Sequence, residues 1–174
     1  MQSLITIDLR IFLWEELSNM PTLLHGGKLA AALINSIPDG VEMVFGPVKS
    51  GGVMHNGHPY FRGNLCVIEK TIPLVQAGTE RTVLDYILFK PFIDEHRLIW
   101  LEKHKRSPGT FHEPLINDFF ALMFATKKIE VGHFVHGWGH DRLAKFAHRT
   151  LEKQKKTIVD LPKGFHEQRQ QAAA

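Results

Sequence analysis

Residues 133–161 read HFVHGWGHDRLAKFAHRTLEKQKKTIVDL, and the fold turns on how this run divides. An apolar stretch ends near Val135, and a Gly137-Trp138-Gly139 turn follows. From Asp141 the spacing of Leu143, Phe146, Ala147 and Thr150 predicts a helix reaching about Gln154. TIVDL, residues 157–161, is then a short strand. Strand, turn, helix and strand in that order favour parallel pairing, because the helix returns the chain to the starting end of the sheet.

The remainder of the chain repeats the alternation. Ile5, Ile7, Leu9, Ile11 and Leu13 share one parity, with Thr6, Asp8 and Arg10 on the other, so residues 4–13 read as a half-buried strand. Gly26–Ile37 predicts a short helix closed by Pro38-Asp39-Gly40. VEMVF (41–45) is a short apolar strand stopped at Gly46-Pro47, and the loop GPVKSGGVMHNGHP runs on from it. Between Phe61 and Ala77, Leu65, Ile68, Ile72 and Val75 fall at helical spacing; Pro73 should kink that helix or shift its end. TVLDYILF (82–89) reads as a strand, and residues 92–105 and 113–127 as helices separated by Ser107-Pro108-Gly109. The expectation is one Rossmann-like α/β domain over residues 1–162, with a mainly parallel sheet of four or five strands flanked by helices. Residues 1–40 would extend an edge or shape a dimer contact, and residues 163–174 form a polar tail.

Composition bounds the partners. The chain has 174 residues, 44% hydrophobic and 22% charged, which suits one soluble globular domain with a real core. Twenty-one basic residues against eighteen acidic ones give +3, too mild a balance to argue for a nucleic acid polymer. Cys66 is the single cysteine, so no intramolecular disulfide forms, and it reads as a small buried hydrophobe. The first residues, MQSLITIDLRIFLWEEL, are interrupted by Asp8 and Arg10 and resemble neither a signal peptide nor a span. No membrane partner is expected, and the cytoplasm is the default setting.

In parallel sheets, ligands bind beyond the carboxyl ends of the strands. Two loops fit that place. One is GPVKSGG, whose Gly46, Pro47, Ser50, Gly51 and Gly52 would cradle a sugar or phosphate with help from Lys49. It lacks the P-loop spacing, and its plain reading is a turn with an incidental lysine. The other is HGWGHD, where Trp138, Gly139 and His140 would shape a pocket. Asp141 occupies an N-cap position and suits either capping or hydrogen bonding to a ligand. His133, His136 and His140 have the chemistry of metal ligands. However, His133 and His136 are three apart in a probable strand, which sends them to opposite faces, so no metal and no cofactor is expected.

The order of these pieces resembles the nucleoside 2-deoxyribosyltransferase-like superfamily, particularly its bacterial and phage branch. The resemblance rests on FGPVKSGG, a helix starting near Asn64-Leu65, TVLDYILF with its polar Asp85, and FFALMFATKKIEVGHFVHGWGHDRLAKFAH. It spans about residues 41–161, and it is carried by the order of motifs rather than by any one of them. It implies cleavage or exchange of the bond between a base and a ribose or deoxyribose, on a nucleoside or nucleoside monophosphate. In that chemistry a helix glutamate attacks the anomeric carbon, giving a covalent glycosyl intermediate. The resemblance also implies a homo-oligomer whose copies complete one another's sites, roles for Asp85 and Asp141 in orienting sugar or base, and a contact from Asn64. The family pattern is Asp or Ser, then x-Gly-x-x-x-Glu. Here Asp141 matches, but Leu143 stands for the glycine and Ala147 for the glutamate. A methyl group cannot attack carbon. Three explanations stand: an engineered Glu→Ala change, a natural nucleotide-sensing module without chemistry, or another acid such as Glu152 in the role.

Overall fold

The computed structural model describes residues 16–17, 19–46, 54–55, 58–59, 62–85, 89–105 and 111–165. The strand expected at 4–13 and the tail beyond 165 lie outside them. Two compact units alternate along the chain, with boundaries after Ser36, Asp85 and Thr126.

The sheet unit contains β1 (Val41–Phe45), β2 (Met54–His55), β3 (His58–Pro59), α2 (Arg62–Gln76), β4 (Thr82–Leu84), β5 (Ile129–Phe134), α6 (Arg142–Lys153) and β6 (Thr157–Asp160). Its four-stranded sheet has the order β4-β1-β5-β6 with every pairing parallel, which is a Rossmann-like α/β arrangement. All five residues of β1 are buried. That near-continuous apolar run is what a central parallel strand requires, since helices cover both of its faces. Glu42 is the one polar intruder.

The chain leaves β1 for β4 on one side, then later returns to β5 on the other. Right-handed crossovers in opposite directions put α2 and α6 on opposite faces. Register agrees with this. Val44 pairs with His133 and Phe45 with Phe134, so Glu42, Val44, Val131 and His133 share one face, while Met43, Phe45, Gly132 and Phe134 share the other. The α6 side chains Leu143, Ala144, Ala147 and Leu151 are buried, and Leu151 sits directly over Gly132. In α2, Ile68 is fully buried and approaches Gly46. Pro73 lies inside α2, and the helix ends three residues later at Gln76. β2 and β3 form a small antiparallel ladder within what reads from sequence as loop.

The helical unit contains α1 (Leu23–Asn35), α3 (Lys90–His104), α4 (His112–Leu115), a π-helical turn (Ile116–Phe120) and α5 (Ala121–Ala125). Thr22 caps α1 by accepting from the His25 N–H at 3.3 Å. Close packing is possible because α1 carries Gly26 and Gly27; a Cβ on Gly27 would lie 2.9 Å from the Phe119 Cα. The core is aromatic. Phe119 meets Phe89 edge-on at 5.4 Å and Phe120 at 5.2 Å. Here one sequence expectation is corrected: the strand at 82–89 stops at Leu84, and Phe89 belongs to the helical core. Pro91 then sits in the first turn of α3, where its missing N–H costs nothing.

Two glycines of the sheet unit should respond oppositely to alanine. At Gly132 the added methyl meets Leu151 and comes within 2.9 Å of the Phe134 ring, both fixed in the core. Gly132→Ala should cost about 1–3 kcal/mol in urea unfolding, the usual range for overpacking. At Gly139 nothing lies within 4 Å, so Gly139→Ala should stay within about 0.5 kcal/mol of the natural chain.

Candidate functional site

Because β1 and β5 are adjacent and parallel, Gly46 and Val135 leave the sheet side by side. The Val135 N–H donates to the Phe45 carbonyl at 2.8 Å, extending the ladder one step past the strands. The Leu161 N–H donates to the Phe134 carbonyl at 2.8 Å, which aligns the end of β6 with them. Gly46 is buried; a Cβ there would sit 3.1 Å from Ile68 and 3.4 Å from Val135. The point where the chain's direction of winding reverses therefore has a floor of backbone, Ile68 and Val135.

Beyond Val135 the chain turns sharply. Gly137 adopts φ 86°, a left-handed conformation that a side chain would strain. Trp138–His140 form one 3-10 turn, and the Asp141 N–H donates to the Trp138 carbonyl at 2.9 Å. Trp138 is pinned on three sides. Its ring stacks on His148 at 4.4 Å and 12°, it lies 5.1 Å from Phe134, and its Nε1–H donates to Asp160 Oδ1 at 2.9 Å. Phe134 in turn stacks on Phe45 at 5.2 Å. The result is an aromatic block joining β1, β5, β6 and α6 at the carboxyl edge, with Trp138 half-buried and Gly139, His136 and His140 exposed above it.

Asp141 is buried and caps α6: its carboxylate accepts from the Ala144 N–H at 2.8 Å. Asp85 directly follows β4 and is half-buried at the same edge, one strand beyond β1. Ala147 is 0% exposed, enclosed on the α6 face that packs against the sheet. Asn64 lies in the first turn of α2. Pro47, Lys49, Ser50, Gly51 and Gly52 lie outside the described residues, so of the glycine-rich loop only Gly46 is placed.

The histidines do not converge. His133 points to Glu42 on the face opposite α6, while His136 and His140 are exposed in the turn. Among the described residues no group of three or more His, Cys, Asp or Glu side chains could hold a metal ion.

A second polar cluster escaped the sequence reading. Glu42, on the central strand, has a side chain only 6% exposed. Its Oε2 is 2.7 Å from His133 Nε2, and its Oε1 accepts from the Thr79 hydroxyl at 2.8 Å, with Arg81 at 3.9 Å. His133 Nδ1 is buried and has no hydrogen-bond partner. A lone acid in an apolar strand was the available signal: a buried carboxylate demands partners, and here they come from β5 and from the approach to β4.

No protein-family model, curated protein or solved structure matches this chain at a significant level.

Removing the Glu42 carboxylate strands the Thr79 hydroxyl and the His133 imidazole inside the sheet unit. Glu42→Ala should therefore cost about 3 kcal/mol in chemical denaturation, as for a broken buried pair. A loss below about 0.5 kcal/mol would show that the cluster does not hold the strands together.

Proposed function

We propose that this chain binds a nucleoside or nucleoside monophosphate at the carboxyl edge where β1 and β5 diverge, and that it holds this ligand without cleaving it. The observation carrying the reading is the adjacency of Gly46 and Val135 at the switch point of a parallel sheet, the place where such sheets receive ligands. The Gly137–His140 turn supplies an aromatic wall and exposed backbone at Gly139, and the Asp141 carboxylate at the head of α6 lies next to that turn. The glycine-rich run with Lys49 and Ser50 follows directly from Gly46, as a sugar or phosphate contact requires.

The order of motifs ties this pocket to N-glycosidic chemistry of the nucleoside deoxyribosyltransferase type. Ala147 is what separates the chain from that activity. Its methyl group is enclosed in helix–sheet packing, and methyl has no lone pair to offer an anomeric carbon. The complete burial of Ala147 favours a binding and sensing role over turnover. A cytoplasmic setting, where nucleoside monophosphates are made, and a second copy of the chain completing the pocket belong to the same proposal.

Titration of the natural chain with nucleosides and nucleoside monophosphates, followed by tryptophan fluorescence, should give saturable binding with no free base detected by chromatography. Trp138→Ala should weaken binding about tenfold, equivalent to about 1.4 kcal/mol, a reasonable loss for a base-stacking ring. Asp141→Asn keeps a good cap, so melting should hold while affinity falls. Base release only after Ala147→Glu, in a variant that still melts cooperatively, would assign the ancestral reaction as well. Absence of saturable binding by any of these compounds would overturn the proposal.

A further inference from the structure

Helix α6 turns a basic stripe away from the sheet. Arg142, Lys145, Arg149 and Lys153 are all exposed. At about 100° per residue the four fall within an arc of about 80°. The buried residues Leu143, Ala144, Ala147 and Leu151 occupy the opposite arc, so the stripe cannot roll inward. Glu152 is the one acid on this helix. Four cations less one anion leave the helix with +3, equal to the net charge of the whole chain. Three cations elsewhere meet acids: Lys156 reaches both oxygens of Glu130 at 2.8 Å, Lys90 pairs with Asp94, and Arg81 approaches Glu42. Among the described residues, none of the four stripe cations has an ion-pair partner.

We propose that this stripe docks on the phosphate backbone of a duplex nucleic acid, independently of the nucleoside pocket. From Arg142 to Lys153 the helix rises about 16 Å at roughly 1.5 Å per residue. Over that length a duplex carries about ten phosphates on its two strands, wound through about half a turn, enough to offer partners to the four cations from the two backbones that flank a groove. Arg142 and Arg149 bring planar forks suited to phosphate oxygens, and Lys145 and Lys153 bring point charges. The helix is anchored by the Asp141 cap and by four buried side chains, which removes backbone ordering from the cost of binding.

The same face argues against a lipid surface. A membrane-surface helix buries an apolar face in the bilayer, and α6 has committed its apolar face to the sheet. Among the described residues, the exposed large hydrophobics are Leu24, Leu98 and Ile99, all in the helical unit. The stripe's own side chains are cationic, bordered by Glu152 about 20° from Lys145 and by half-buried Phe146 about 20° from Lys153, and the contact they favour is with fixed phosphates.

The test uses the full chain and a fluorescein-labelled duplex of about 20 base pairs of mixed sequence, read by anisotropy. At about 50 mM salt the chain should bind in the micromolar range, and raising salt to about 200 mM should weaken binding about 40- to 150-fold, as three or four phosphate contacts require. Replacing Arg142→Gln together with Arg149→Gln should lower the log–log salt slope by about two, and the four-site Gln variant should lose binding. Far-UV circular dichroism and melting temperature should stay unchanged in both, since every altered side chain is exposed. Three results would overturn the proposal: no binding at the lower salt, an unchanged slope in the double variant, or tighter binding to phosphatidylserine vesicles or polyglutamate than to the duplex.

Discussion

The parallel pairing of β1 with β5 is the constraint on which the sheet unit depends. It joins residues about ninety positions apart and puts both strands in the middle of the sheet, where each face must be covered. On one face the demand is met by Phe45, Phe134 and the buried residues of α6, with Gly132 leaving room for Leu151. On the other, Glu42 and His133 meet across the same strand pair at 2.7 Å. Moving β1 by one residue would put Glu42 under α6 and Phe45 on the face of Thr79, leaving Phe134 and His133 without their partners. Both faces thus specify the same alignment, one by shape and the other by hydrogen bonding.

That alignment also fixes what emerges at the carboxyl edge. Gly46 and Val135 come out level, and the Gly137 turn swings Trp138 back over Phe134 and His148. Trp138 is tied to Asp160 at the end of β6, so the turn behaves as part of the sheet edge rather than as a free loop. A ligand held there meets a wall set by strand ends. On the nucleoside reading proposed above, adaptation to different bases would fall to the residues following Gly46.

Much of this order was legible in the sequence. VEMVF, the run around Val135, the Asp141-capped helix and TIVDL each carry a period and a stop signal, and all appear within one or two residues of their expected ends. Three features were hidden for physical reasons. The ladder of Met54–His55 with His58–Pro59 brackets Asn56-Gly57, a known hairpin dipeptide, but two-residue strands have no period to detect. TVLDYILF looks like one strand because β-branched, aromatic and other apolar residues dominate it on both sides of Asp85, yet Leu84 and Phe89 are buried in different units, which no local pattern encodes. The α6 stripe is hidden in a whole-chain charge of +3, because that small total does not say that all of it sits on one helix. Partners such as Glu42 and His133 are distant in sequence, and only the sheet brings them together.

The alternation of the two units along the chain has a consequence for biogenesis. Synthesis from the first residue delivers β1, then β4, and afterwards about forty residues of the helical unit before β5 exists. Until residue 134 has left the ribosome, β1 presents one unpaired apolar edge, and its second neighbour is missing. A transcript cut short after Thr126 would therefore yield an adhesive fragment rather than a smaller working protein, so such truncations would burden the cell's chaperones.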